Sequence, residues 1–324
     1  MSWAKKCRKY LLSVLFIVFC FGSTVQAKSN LWYYGDQLTG ISKEIYTALQ
    51  KVPDMKKYHG ADTIKVKAND KGIEIKLKKS YSLSQNKKLF SEVDKAGDAF
   101  LRDRSDLFWI SSFKFTATSS SYARTFDKIT VYPIDYYNGI RKEIPNTQKA
   151  LNRIINYVKK QKNRYEKVKA AHDYIIDLVT YSKDDLKSPY YHTVTGGLLA
   201  KYGHKGVCEV YAKLFDIVCK ANHIPSVLIT YNEICGNKIY SRDHIWNYVQ
   251  MNDGKWYVVD VTFDDPIMSD GSQGKFYDYF LVGSNASVNG GRIKETHTGS
   301  GYSISTVSVY KPFKLPKLAK KSFF

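Results

Sequence analysis

Cysteine is scarce in this 324-residue chain, with five residues in all. That scarcity excludes a small disulfide-stapled scaffold, which would use more. Two cysteines fall within the first 27 residues, leaving Cys208, Cys219 and Cys235. An odd count leaves at least one thiol unpaired or paired with another molecule. Close ligand pairs are missing as well. Cys208, Cys219, Cys235, His192, His204 and His244 show neither Cys-x2–4-Cys nor His-x3–5-His spacing, which argues against a structural zinc site. Neither a metal nor a cofactor is expected. Acidic residues number 30 against 50 Lys and Arg, and none follows Glu295. No RNP or helix-turn-helix pattern accompanies the spread lysines, so nucleic acid is not an expected partner. Repeats and long low-complexity segments are also missing.

One apolar run is present, at residues 11–21. Lys5, Lys6, Arg8 and Lys9 precede it, and Val25-Gln26-Ala27 follows it. This is the layout of a secretory signal. The run is too short for a comfortable membrane span, which needs about 20 residues. Cleavage after Ala27 and a bacterial protein that is secreted or held at the cell surface are expected, with no transmembrane span afterwards. Loss of the four basic residues leaves a formal charge of about +16. Such a field attracts polyanions, and outside a cell these are wall polymers or acidic headgroups.

The pattern divides the mature chain into an N-terminal extension of mixed helix and strand (28–145), a catalytic domain (146–300) and a basic C-terminal tail (301–324). Residues 28–60 have helical spacing. Ile64, Val66 and Ala68 alternate with polar residues, as do Ile73, Ile75 and Leu77, and Asn69-Asp70-Lys71-Gly72 predicts a hairpin turn. A helix is expected over 86–102, a strand from Phe108, a loop within 111–128, a short strand at 129–133, and two helices between 145 and 181. A polar, glycine-bearing stretch then leads to Gly206-Val207-Cys208. A helix runs from Cys208 to Asn222, and strands follow at 226–231, 244–251, 255–263 and 276–282. Helices followed by consecutive antiparallel strands indicate the α+β class.

Cys208 stands at the predicted helix start, where free backbone N–H groups and the helix dipole favour an anion. A base must reach such a thiol, and a third group must orient the base. His244 and Asp260 are tested by register. Asn252-Asp253-Gly254 closes a three-residue loop with glycine at the left-handed position. That pairs Met251 with Lys255 and puts His244 and Asp260 on one face as diagonal neighbours, about 7–8 Å apart at the backbone. A two-residue loop would separate them. Cys219, mid-helix, reads instead as a small buried hydrophobe.

Three ordered segments resemble the transglutaminase-like superfamily. They are Gly206-Val207-Cys208-Glu209-Val210-Tyr211-Ala212, Asp243-His244-Ile245-Trp246-Asn247, and the stretch from Lys255-Trp256-Tyr257 through Val259-Asp260-Val261-Thr262 to Asp265-Pro266. Tyr279-Phe280-Leu281 and His297 resemble the end of that domain, and Asp106-Leu107-Phe108-Trp109 resembles the extension of bacterial exported members. The resemblance implies a papain-like core of helices on an antiparallel sheet, with Cys208, His244 and Asp260 as the triad. Trp246, Asn247, Glu209 and Tyr211 are candidates for the substrate cleft. Val210 and Ile245 stand where glycine and alanine are frequent and are expected to narrow it.

The implied activity is thiol-dependent acyl transfer on peptide or carboxamide bonds, as in a protease or amidase. The substrate would be a protein or peptide, cell-wall peptide included, and the basic tail would contact an anionic wall polymer. A protein-crosslinking transglutaminase and a non-catalytic peptide- or wall-binding module are the alternatives.

Overall fold

A computed structural model describes residues 31–59, 70–120, 125–183, 187–235, 238–297 and 313–324. The expected export signal and the expected first arm of a hairpin at 64–68 lie outside the described residues.

The N-terminal part is a helix pair on a small sheet. Helix α1 (Gly40–Gln50) buries Ile41, Ile45, Tyr46 and Leu49. Helix α2 (Asn86–Asp103) buries Leu89, Val93, Ala96 and Phe100. Spacings of three and four put these side chains on one face. The sheet has the order β1-β3-β2, from β1 (Ile73–Ser82), β2 (Ile110–Ser120) and β3 (Thr125–Asp135). Ile73, Ile75 and Leu77 alternate into the core. Their strand pairs with β3, Ile73 opposite Val131 and Ile75 opposite Ile129. The expected loop within 111–128 is mostly strand, with Ser112 opposite Ile134 and Thr116 opposite Thr130. Threonine suits a strand as well as valine does, and Phe113, Phe115 and Ala117 pack against the core.

The next helices are α3 (Ile140–Lys159), α4 (Arg164–Leu178), α5 (Val194–Leu198) and α6 (Cys208–Ala221). The boundary drawn at residue 145 falls inside α3. Gly139, at φ +91°, starts that helix earlier. Helix α3 packs on α4, α5 and α6. A short parallel pair, β4 (Thr180–Tyr181) and β5 (Lys205–Gly206), braces the approach to α6.

The second sheet is antiparallel in the order β6-β7-β8-β9, from β6 (Ser226–Cys235), β7 (Lys238–Gln250), β8 (Trp256–Val259) and β9 (Phe280–Val282). It gives the mixed helix and antiparallel-sheet class expected. The β7–β8 register is the one read from the loop: Gln250 opposite Trp256 and Asn247 opposite Val259. Gly254 has φ +75°, and Met251 N–H donates to Lys255 O at 3.0 Å. The last strands are shorter than expected. Strand β8 ends at Val259, because Asp260 heads a turn in which Asp264 N–H donates to Asp260 O at 3.2 Å. A small hairpin, β10 (Ser287–Val288) with β11 (Gly291–Arg292), leads into α7 (Ile293–Thr296).

The two halves are stitched together by buried polar contacts. Asp103 accepts the Tyr34 and Gly35 N–H groups, each at 2.8 Å. Tyr34 Oη donates to Leu228 O of β6 at 2.5 Å. Ser105 Oγ donates to Asp216 of α6 at 2.6 Å. The C-terminal segment is likewise no free tail. Among its described residues, Phe313 and Ala319 are buried. Ala319 N–H donates to Trp256 O at 2.8 Å, and Phe323 N–H donates to Leu281 O at 3.1 Å. Its apolar residues explain the docking, since Leu315, Leu318 and Phe323 pack against the core. Lys314, Lys317, Lys320 and Lys321 remain exposed. Gly283 lets the segment approach: a Cβ there would lie 2.4 Å from the backbone of Lys321.

Candidate active site

Cys208 is the first residue of α6, whose remaining face holds it rigidly. Val210, Tyr211, Leu214, Phe215 and Val218 are all fully buried, and each such burial stabilises the helix by about 1.5–3 kcal/mol. Gly206 permits the sharp entry, because a Cβ there would meet Val210 at 2.6 Å. Val207 N–H donates to Tyr191 O at 2.9 Å and pins the residue before the thiol. The thiol therefore stands at the N-terminal tip of the helix, the end that the helix dipole makes favourable to an anion.

His244 reaches this thiol from β7. Its Nε2 lies 2.5 Å from Asp260 Oδ2, and a further side-chain hydrogen bond links it to Cys208. Burial alone would lower the imidazole pKa. The Asp260 charge and hydrogen bond, followed by the contact with Cys208, outweigh it and raise the value to about 10. Asp260 shows the converse. Burial pushes its carboxyl up, but the His244 charge and the hydrogen bonds from His244 and His297 hold it well below the usual carboxylate range. Its Oδ1 accepts the Thr262 and Phe263 N–H groups, each at 3.1 Å. The end of β8 and the turn after it are therefore both consequences of this one carboxylate.

Aromatic rings flank the imidazole. Phe263, 46% exposed, stacks on it with ring centres 4.3 Å apart and 10° between planes. Trp246, nearly fully buried, stacks at 5.7 Å. Tyr181 of β4 also belongs to this neighbourhood: burial first, then the charges of Cys208 and Asp260, push its phenol up.

The residues expected to line a cleft separate into different roles. Asn247 is buried and donates from Nδ2 to Ala212 O at 3.1 Å. It ties β7 to α6, the elements that carry His244 and Cys208, and presents no surface to a substrate. Tyr211 is buried too, and donates to Asp265 Oδ2 at 2.7 Å. Trp246 lies beneath the histidine. Glu209 is half-buried and points away along α6. Burial would raise its pKa, but the Lys213 charge and hydrogen bonds from His192, Lys213 and Tyr136 hold it low. Val210 does not narrow a cleft, because it fills the space left by Gly197 and Gly206. Ile245, on the opposite face of β7 from His244, lines a cavity of about 220 Å³ with Arg102, Glu209 and Lys213. That cavity lies between α2 and the second sheet, and its lining does not include Cys208, His244 or Asp260.

Several of the thiols and histidines weighed as zinc ligands meet other partners. His192 faces Glu209 at 3.3 Å, and His204 faces Gly197 O at 2.9 Å. Cys219 is a free thiol inside α6, where burial pushes its pKa up. Among the described residues, ligand-type atoms converge at His244, Asp260 and His297, within 4.8 Å of one another. Both imidazole Nε2 atoms point at the same oxygen, Asp260 Oδ2, at 2.5 and 3.2 Å. His297 marked only the end of the domain in the sequence, and no spacing rule links it to Asp260.

A second buried imidazole braces the same turn. His172 of α4 bonds Asp264 Oδ2 through Nε2 at 3.1 Å and Asp173 through Nδ1 at 3.0 Å. Among the described residues no helix is long and apolar enough to cross a membrane.

The family model for the transglutaminase-like superfamily matches residues 149–261. No curated protein matches the sequence. Three solved structures resemble parts of the chain. The first is a proposed cysteine protease of Cytophaga hutchinsonii, at 17% identity, TM-score 0.27, over 52% of this chain and 69% of that one. The second is the periplasmic domain of TgpA from Pseudomonas aeruginosa, at 16% identity, TM-score 0.28, over 42% of this chain and 53% of that one. The third is a TGase, at 12% identity, TM-score 0.29, over 64% of this chain and 56% of that one. The stretch that holds Cys208, His244 and Asp260 thus lies within the match to the transglutaminase-like superfamily model at residues 149–261.

Proposed function

We propose that this protein is an exported cysteine enzyme that hydrolyses peptide or carboxamide bonds through an acyl-enzyme on Cys208. One observation carries the reading: the imidazole of His244 is hydrogen-bonded both to Asp260 and to Cys208. His244, kept protonated by its raised pKa, holds the proton drawn from the thiol as sulfur attacks the substrate carbonyl, and the imidazolium gives that proton to the departing amine. The C–N bond breaks and a thioester remains. Water then attacks the thioester and gives its proton to His244. The acid leaves, and the thiol regains its proton. Backbone N–H groups at the tip of α6 would stabilise the oxyanion of each tetrahedral intermediate. Asp260 holds the imidazole's orientation throughout and remains charged.

Water as the acceptor requires no second binding site, which favours hydrolysis over crosslinking. The test is mass spectrometry of Cys208 and of products after incubation with cell-surface peptides, with Cys208→Ala as control. A thioester at Cys208 and cleaved or deamidated peptide are expected. Isopeptide-bonded products would replace hydrolysis with crosslinking. The lack of any acyl adduct across amides and esters would favour a binding module.

A further inference from the structure

Asp260 Oδ2 accepts two imidazoles, not one: His244 Nε2 at 2.5 Å and His297 Nε2 at 3.2 Å. We propose that His297 is a positioning residue of the active site, a second donor that locks the Asp260 carboxylate and thereby holds His244 against Cys208. This rests on the triad reading above and extends it to a fourth side chain, brought from 37 residues further along the chain.

The geometry leaves His297 little freedom. It is 2% exposed. An anionic carboxylate oxygen only accepts, so Nε2 carries the hydrogen that points at Asp260. Nδ1 faces Thr296 Oγ1 at 2.9 Å, a hydroxyl able to donate or accept. Tyr248 Oη donates to His297 O at 2.6 Å. The other rings around it are Trp246 at 5.0 Å, Tyr279 at 4.8 Å, Phe263 at 5.6 Å and His244 itself at 6.4 Å. Asp260 and the His244 imidazole that shares its Oδ2 are the charged groups around it, and Tyr248 and Tyr279 are its other titratable neighbours.

With Thr262 N–H and Phe263 N–H on Oδ1, the carboxylate is held by four donors. Three come from the turn it heads and from β7. His297 is the one supplied by the C-terminal part of the chain. That part is itself anchored: Lys294 N–H donates to Ser284 O, Ser284 N–H to Ala319 O and Asn285 N–H to Lys320 O. A continuous run of contacts therefore connects the docked C-terminal segment to the thiol by way of His297, Asp260 and His244. A carboxylate deprived of this donor gains a rotational choice on the side facing His244, and the imidazole loses its fixed partner geometry.

The test uses the full protein and needs no identified substrate. Alkylation of Cys208 by iodoacetamide is followed across pH in wild type, His244→Ala, His297→Leu and His297→Gln, with thermal unfolding of each. In wild type, alkylation depends on His244. His297→Leu removes the donor and lowers the alkylation rate at neutral pH about tenfold, the scale of one hydrogen bond to a charged group, with a displaced pH profile. His297→Gln places an amide N–H where Nε2 was and stays within about twofold of wild type. A folded His297→Leu protein with wild-type rate and pH profile overturns the proposal and leaves the triad reading intact. Wild-type alkylation indifferent to His244→Ala overturns both. Should the Leu variant fail to fold, His297→Asn, polar but too short to reach Oδ2, is expected to show the same loss, and a wild-type profile there also overturns the proposal.

Discussion

Asp260 and His244 meet at 2.5 Å across the β7–β8 hairpin although 16 positions separate them in sequence. The pair explains why the imidazole binds its proton so tightly.

The pH dependence of stability follows from that contact. The ordinary imidazole value of 6.5 rises to about 10 in the folded protein. The stabilisation is therefore complete below about pH 6.5 and is lost as pH rises through about 10. Asp260 gives the acid side: its folded value lies below the ordinary 3.8, so that stabilisation is complete above 3.8 and is lost as pH falls through the folded value. Urea unfolding followed from about pH 6.5 to about 10 should show a steeper decline for wild type than for His244→Ala. Equal slopes would mean that the pair does not set the profile.

Asp260→Asn keeps the shape and removes the charge. Acyl transfer should fall by about 10⁴-fold, the scale seen when the orienting carboxylate of such a triad becomes an amide. The apparent pKa of His244, measured by NMR titration, should drop at the same time. An imidazole that still titrates near 10 in this variant would contradict the assignment of cause.

Phe263 offers a different readout. It is half-exposed yet stacked on the imidazole, so Phe263→Ala should cost little stability. An aromatic stacking contact is worth about 0.5–1.5 kcal/mol, so kcat/KM should fall by about three- to tenfold. An unchanged kcat/KM would show that the stack plays no part in holding the ring.

Gly254 tests the hairpin itself. A Cβ there meets nothing within 4 Å, so only the φ of +75° opposes substitution. Gly254→Ala should cost about 1 kcal/mol in urea unfolding. A much larger loss together with lost activity would mean that the alanine had displaced the β7–β8 register.

The parts of this site that were legible in advance rest on short-range rules. Gly254 fixed the loop length, the loop length fixed the register, and the register put His244 beside Asp260. The helical period after Cys208 put the thiol at a helix tip. The parts not legible depend on contacts between distant segments. Nothing near His297 in the sequence points to Asp260, and nothing in the lysine-rich C-terminal segment signals that Phe313 and Ala319 are buried. The side-chain roles of Tyr211 and Asn247 were also out of reach, because motif neighbours on a helix or strand alternate between cleft and core. Strand β8 stopped early for a reason visible only in three dimensions: the carboxylate that orients His244 also gathers the next two backbone N–H groups into a turn.

The closeness of Gly283 to the Lys321 backbone has a practical corollary. A lone methyl group placed at residue 283 would act as a wedge, lifting the final dozen residues from the sheet without deleting any of them. Glycine at that point works as a latch, and a Gly283→Ala chain would be an undocked protein of full length, in which the remote end of the polypeptide could be uncoupled from the thiol at will.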